Sequence, residues 1–271
     1  MTNRLPKRLV IALVAATVAF SSLARAEITV LMSGGFGLPY QEVLPEFERT
    51  TGIKVVTMTG ASQGTGPSTI KAQLELGAHA DVVILSKEGL GELSATGRIL
   101  KETEVGLATT PLGAAVRAGS SMIDVSDEAA LRKSLLGARL ITMPGSTSGM
   151  YIKNTVLPKL GVADEVHVKV VARGVESTKM LAAGESDLAL GPVSELVHLP
   201  GVDFVGALPS EYQLVQEFTG AIVNDSTQVD DAKRLIAFLS SSKAAAAIRR
   251  AGMEPVGNNQ ERKGEASTRP Q

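Results

Sequence analysis

The chain has 271 residues, no cysteine, no tryptophan and only 3% aromatic residues. That composition excludes a disulfide framework and lipid attachment at an N-terminal cysteine, and it argues against sites that stack sugars or bases on aromatic faces. Four of the 27 basic residues (Arg4, Lys7, Arg8, Arg25) precede Glu27, so the remaining 23 stand against 28 acidic residues, a net charge of −5 that makes nucleic acid an unexpected partner.

The first segment has three parts in order: the positive start Arg4, Lys7 and Arg8, an uncharged apolar run over 9–20, and the small-x-small site Ala24-Arg25-Ala26. This is the pattern of a secretory signal peptide cleaved after Ala26. The run is well short of the roughly 20 residues that span a bilayer, and no later one is longer, so no stable membrane anchor is expected. The product is expected to be a free periplasmic protein. About 245 residues then remain, enough for one large domain or two small ones with proper cores.

From Glu27 onward β-rich runs alternate with amphipathic helical stretches. A strand is predicted over 28–32, then a helix in which Tyr40, Val43, Leu44 and Phe47 share one face and Gly52 caps the end. A strand over 53–58 and a polar loop over 59–67 lead to a helix over 68–76 with Ser68 as N-cap and Gly77 as terminator. Next come a strand over 81–85, a short helix over 88–95, a strand over 112–117, a helix over 127–136 and a strand over 138–142. After a turn-rich loop over 143–148, a helix over 149–160 ends at Gly161. Strands over 166–171, 188–190, 202–207 and 218–223 and helices over 175–183, 230–239 and 243–251 complete the pattern. Alternation of this kind predicts α/β architecture with parallel sheets covered by helices. The last residues, 257–271, lack an apolar pattern and are expected to be disordered.

Three strand ends carry glycine and hydroxyl clusters, each followed by a helix: Ser33-Gly34-Gly35-Phe36-Gly37, Gly60-Ala61-Ser62-Gln63-Gly64-Thr65-Gly66 and Gly145-Ser146-Thr147-Ser148-Gly149. In open α/β sheets ligands sit beyond the carboxyl ends of strands, where helix N-termini aim unpaired N–H groups. Three such ends converging would make a small-anion site. Taken singly, the same glycines turn the chain and the same hydroxyls cap helices.

Gly77-Ala78-His79-Ala80-Asp81-Val82-Val83, Gly149-Met150-Tyr151 with Lys159-Leu160-Gly161, and Ala183-Gly184-Glu185-Ser186-Asp187-Leu188 carry a resemblance in their order and spacing. The chain resembles the type 2 periplasmic solute-binding proteins, most closely the molybdate-binding-protein-like branch, from Ile28 to about Val256. The resemblance implies a two-lobed α/β fold, each lobe a mixed sheet flanked by helices, with two crossover strands near 109–111 and near 208–209. Lobe 1 is then 27–108 plus 209–256 and lobe 2 is 109–208. It also implies a small anionic ligand in the cleft, a possible ABC permease partner, no cofactor and no metal, and a monomer is expected.

Carried over residue by residue, the resemblance puts the first serine hydroxyl of a molybdate binder at Gly35, with Ser33 two residues earlier. The second-loop serine falls near Pro67 or Ser68, although Ser62 could serve. The backbone amide positions fall near Gly174 and near Ser148 or Gly149, and the closing tyrosine falls at Pro192. Two donors are thus missing or shifted, which counts against molybdate. A carboxylate suits Arg173, which stands where molybdate binders tend to be acidic, because arginine binds carboxylate bidentately. The residues expected to line the cleft are Ser33, Gly34, Gly35, Ser62, Gly64, Thr65, Ser148, Gly149, Arg173 and Gly174.

Ser33-Gly34-Gly35-Phe36 is also similar to the opening of a divergent branch in which the scaffold serves as aconitate isomerase. Three functions follow: capture of an oxyanion or of a di- or tricarboxylate for an ABC importer, an allylic proton shift of the aconitate type, or hydrolysis, since Gly60-Ala61-Ser62-Gln63-Gly64 fits a G-x-S-x-G elbow. The isomerase needs a base, for which Glu195 or a loop hydroxyl stays open. His79, His167 and His198 lack metal-ligand spacing and read as structural or solvated.

Overall fold

The computed structural model describes residues 27–257; the expected signal peptide and all of the expected tail beyond Gly257 lie outside the described residues. Two mixed sheets form. The first joins β1 (Glu27–Ser33), β2 (Lys54–Gly60), β3 (Val82–Ser86), β4 (Ile99–Thr110), β10 (Gln216–Val223) and β11 (Glu254–Pro255) in the order β11-β4-β10-β3-β1-β2. The second joins β5 (Leu112–Arg117), β6 (Ile141–Pro144), β7 (Val168–Val171), β8 (Leu188–Pro192) and β9 (Val202–Ala207) in the order β7-β6-β8-β5-β9.

Parallel pairing, expected from the alternation, is confined to β1 with β2 and β3 and to β6 with β7 and β8. β10 runs antiparallel to β3 and β4, and β5 runs antiparallel to β8 and β9. Both strands enter directly from the other sheet rather than through a crossover helix, which frees them from parallel pairing. β4 is a 12-residue strand with no counterpart among the predicted elements. Lys101, Glu102 and Glu104 break its apolar pattern, and pairing with β10 makes it a strand.

The helices are α1 (Gly37–Thr51), α2 (Ile70–Glu75), α3 (Lys87–Ala95), α4 (Glu128–Gly137), α5 (Thr147–Tyr151), α6 (Leu157–Lys159), α7 (Gly174–Ala182), α8 (Val229–Leu239) and α9 (Ser242–Arg250). α1 buries Tyr40, Val43 and Phe47 and stops where Gly52 turns left-handed at φ 76°. The N-cap of α2 is Thr69 rather than Ser68, because Thr69 Oγ1 accepts a 3.1 Å hydrogen bond from the Ala72 N–H. The helix expected over 149–160 starts two residues earlier and widens into a π-turn over Ile152–Val156. Pro158 has no N–H to give the preceding turn, and the widened turn absorbs that loss.

Each sheet is covered on both faces. Phe36, Tyr40, Phe47, Phe218 and Leu235 pack on one face of the first sheet, and Leu31, Ile70, Leu85 and Leu93 on the other. Leu112, Met143, Ile152 and Leu190 cover one face of the second, and Ala115, Leu181, Ala189 and Leu196 the other. Each large apolar side chain removed from water contributes about 1.5–3 kcal/mol, and these cores stabilise the fold without disulfides. Asp81, only 1% exposed, ties the first sheet to its flank: Oδ2 accepts from the Thr29 N–H at 2.8 Å and Oδ1 from Ser226 Oγ at 2.7 Å.

The chain leaves the first sheet at Pro111, between β4 and β5. On the way back Leu208, Tyr212 and Leu214 still pack in the second core, and pairing with the first sheet starts at Gln216 opposite Thr110. The return therefore lies several residues beyond 208–209. Gln213 ties the two passages together: Oε1 accepts from the Leu112 N–H at 2.5 Å, while Nε2 donates to the carbonyls of Leu112 at 3.1 Å and Leu208 at 3.0 Å. Gln213→Ala removes the side-chain partner of the Leu112 N–H and the Leu208 carbonyl, while the Leu112 carbonyl keeps its 2.9 Å bond from the Leu208 N–H, and should cost about 2 kcal/mol. Urea unfolding checks this, and an unchanged midpoint would show that water replaces the amide.

Candidate functional site

The carboxyl ends of the parallel strands of the two sheets face each other. Arg173, after β7, donates from Nη1 to Thr59 Oγ1 of β2 at 3.0 Å. Thr147, after β6, donates to Gln63 Oε1 beyond β2 at 2.7 Å and accepts from Ser86 Oγ at the end of β3 at 2.7 Å. Between the lobes lies a cavity of about 340 Å³, the size of a small-molecule site. The first lobe lines it with Ser33, Gly34, Gln41, Thr57 and Thr59, the second with Arg173, Val175, Thr178, Ser194 and Glu195.

Glu195 ends a short 3-10 turn, Val193–Glu195, that follows β8. Its carboxyl is held between two glycines, one from each lobe. A Cβ on Gly34 would lie 2.7 Å from Oε1, and a Cβ on Gly174 would collide with the whole carboxyl. A side chain at either place would have to displace the carboxyl. Burial pushes the Glu195 carboxyl up from its ordinary 4.5 to about 7. The residue as a whole is half-buried, and desolvation is the one cause of the rise.

Gly174 is the first residue of α7, and Arg173, its N-cap, places no side-chain acceptor over the first turn. Helix N–H groups and a partial positive charge therefore face the cavity. Arg173 adds a full charge, steadied by a 3.3 Å bond from Nε to Glu176 Oε1. Behind the wall, Tyr40 shares a 2.9 Å hydrogen bond with Thr57, and burial pushes its phenol up to about 12, which keeps it neutral.

The expected residues divide into three sets. Ser33, Gly34 and Arg173 line the cavity, and Gly174 touches it through Glu195. Ser62, Gly64 and Ser148 lie outside the cavity lining, on the second and third loops. There Ser62 Oγ accepts from the Ser86 N–H at 3.0 Å, and Gly64 lies against the Gly145 carbonyl. Ser148 is 1% exposed, and its hydroxyl has no partner. Gly35 sits under the Phe218 ring and Gly149 against the Pro144 carbonyl, both for backbone packing, and Thr65 is exposed on the loop. Ser62 is 3% exposed and α2 begins only at Ile70, so it is not the exposed nucleophile an elbow requires.

Sequence reasoning passed over Gln41, Thr57, Thr59, Thr178 and Ser194. Threonines alternating along an edge strand carry no signal until the facing lobe is known. Glu195 stood open only as a possible base; its position three residues past a buried β8 was the available hint.

Because the folded protein favours neutral Glu195, the stability this group contributes is full below about pH 4.5 and is lost as pH rises through about 7. Thermal melts at pH 5 and pH 8 should show a larger fall for wild type than for Glu195→Gln, and equal falls would contradict the burial. Gly174→Ala should expel the carboxyl and move its titration toward the ordinary range, which the same pair of melts detects.

A family described as bacterial extracellular solute-binding protein matches residues 28–254. A Pseudomonas sp. protein named aconitate isomerase is 32% identical over 245 residues, covering 90% of this chain and 94% of that one. The sulfate-binding protein SubI of Mycobacterium tuberculosis superposes with a TM-score of 0.68 at 20% identity, over 90% of this chain and 92% of its own. The periplasmic molybdate-binding protein of Azotobacter vinelandii gives 0.66 at 20% identity, over 83% and 98%. The two structures share the two-lobed fold, and the chain belongs to the bacterial extracellular solute-binding proteins.

Proposed function

We propose that this protein captures a small polycarboxylate between its lobes and shifts a proton within it, as an isomerase of the aconitate type. The observation that carries the reading is the Glu195 carboxyl, set in the interlobe cavity that Arg173 also lines and raised to about 7. A base that titrates near the working pH is present in its ionised form yet still holds a proton well once it has taken one. The likeness to a named aconitate isomerase over 94% of that protein supports the same reading.

The chemistry is an allylic shift. Glu195 removes a proton from the methylene between a carboxylate and the carbon–carbon double bond. The electron pair spreads over the three-carbon unit and its carboxylates, and the proton returns at the former vinylic carbon. The double bond moves by one position, the base is regenerated and nothing else is consumed. Arg173 and the uncapped N–H groups of α7 stabilise the charge that develops, with Ser33 and Gly34 across the cavity.

A second reading, capture of the same ligand for an ABC importer without conversion, is favoured by the family match over 28–254. Both readings place the protein in the periplasm after cleavage behind Ala26, which N-terminal sequencing of the exported protein checks. To separate them, cis-aconitate is incubated with the mature protein in D₂O and followed by proton NMR. We expect many turnovers to trans-aconitate, with kcat lower by about 10²–10⁴ in Glu195→Gln and an acid limb near pH 7. Tight binding without conversion would favour import, and neither binding nor conversion would overturn both readings.

A further inference from the structure

We propose that His198 is a positioning residue: its bond to the end of α9 fixes the segment that carries Glu195 against the first lobe. This inference rests on the role assigned to Glu195 above. On the N-terminal side of Glu195 the segment is anchored to the strand passage. The Val193 N–H donates to the Pro111 carbonyl at 2.9 Å, and the Ser194 N–H donates to Thr110 Oγ1 at 3.4 Å. Val193 also presses on Gly252, where a Cβ would lie 2.7 Å from Val193 Cγ1. On the C-terminal side the anchor is His198, whose Nε2 lies 2.8 Å from the carbonyl oxygen of Arg250, the last residue of α9. With its proton on Nε2, the ring donates to a carbonyl that the helix end leaves without an intrahelical partner.

Two further facts mark this contact. His198 is the one non-glycine residue with positive φ among the described residues, at 57°. A left-handed histidine persists only where its surroundings hold it, and here the bond to Arg250 does so. Arg250 in turn pairs with Glu42 of α1, the helix whose first residues line the cavity. Glu195, His198, Arg250 and α1 thus form one connected path, and both sides of the base are tied to structure outside its own turn.

Two substitutions separate the bond from the backbone. His198→Gly relieves the left-handed conformation but deletes the bond. His198→Gln retains an N–H donor while removing the imidazole ring. Arg173, the charged residue that shares the cavity with Glu195, is the same in both. With the side-chain carboxyls labelled with ¹³C, we expect His198→Gly to melt no lower than wild type, yet to move the Glu195 titration midpoint down toward the ordinary glutamate range. We also expect kcat on cis-aconitate to fall by about ten- to a hundredfold with little change in KM. His198→Gln should restore the midpoint and most of kcat. If His198→Gly keeps the wild-type midpoint, the residue only turns the chain and the inference is overturned. The titration is read without turnover, so it stands apart from the failure of the isomerase reading, which would appear instead as an inactive wild type.

Discussion

A carboxyl confined between two glycines, one contributed by each lobe, is the contact on which the cavity depends. Gly34 opens the 3-10 turn after the first strand and Gly174 opens α7, and the Glu195 carboxyl occupies the space that a side chain at either place would need. Removing a carboxylate from water costs several kcal/mol unless charge or hydrogen bonds compensate it, and the group responds by holding its proton to a higher pH. The same confinement that destabilises ionised Glu195 makes it useful near neutrality. It also fixes how closely the lobes approach, since the carboxyl touches both.

The remainder of the structure serves that placement. The two sheets meet carboxyl end to carboxyl end because the chain crosses between them at Pro111 and again just before Gln216, with Gln213 joining the passages. Arg173 to Thr59 and Thr147 to Ser86 and Gln63 span the lobes on either side of the site. The second of these is one directed chain: the Gly89 N–H donates to Ser86 Oγ, Ser86 to Thr147, and Thr147 to Gln63. Buried hydrogen bonds of this kind fix register between surfaces more than they add stability.

Much of the fold was legible in the sequence where the physics is local. The apolar face of Tyr40, Val43 and Phe47, the left-handed Gly52, Gly77 and Gly161, and the run over 202–207 all read directly. What escaped depended on distant partners. β4 looks charged and irregular, and only β10 makes it a strand; the antiparallel course of β5 and β10 follows from a crossing that local pattern does not encode. The site followed the same rule. Ser33 and Gly34 stood in a loop whose composition announced them and Arg173 and Gly174 were reached through the family resemblance, whereas Thr57, Thr59 and Thr178 became cavity residues only when the lobes met. Glu195 needed its environment, since an ordinary surface glutamate and a base near neutrality have the same letter.

Taken together, the solute-binding fold supplies an interlobe cavity, and the chemistry assigned to it rests on where a ligand sits relative to Glu195. A crystal structure of the Glu195→Gln protein soaked with cis-aconitate tests that placement most directly. The account predicts one ligand carboxylate bonded to Arg173 and the methylene within about 3.5 Å of the side-chain amide that replaces the carboxyl at position 195. A ligand held instead by the Ser62 and Ser148 loops, with the side chain at position 195 out of reach of its methylene, would contradict it.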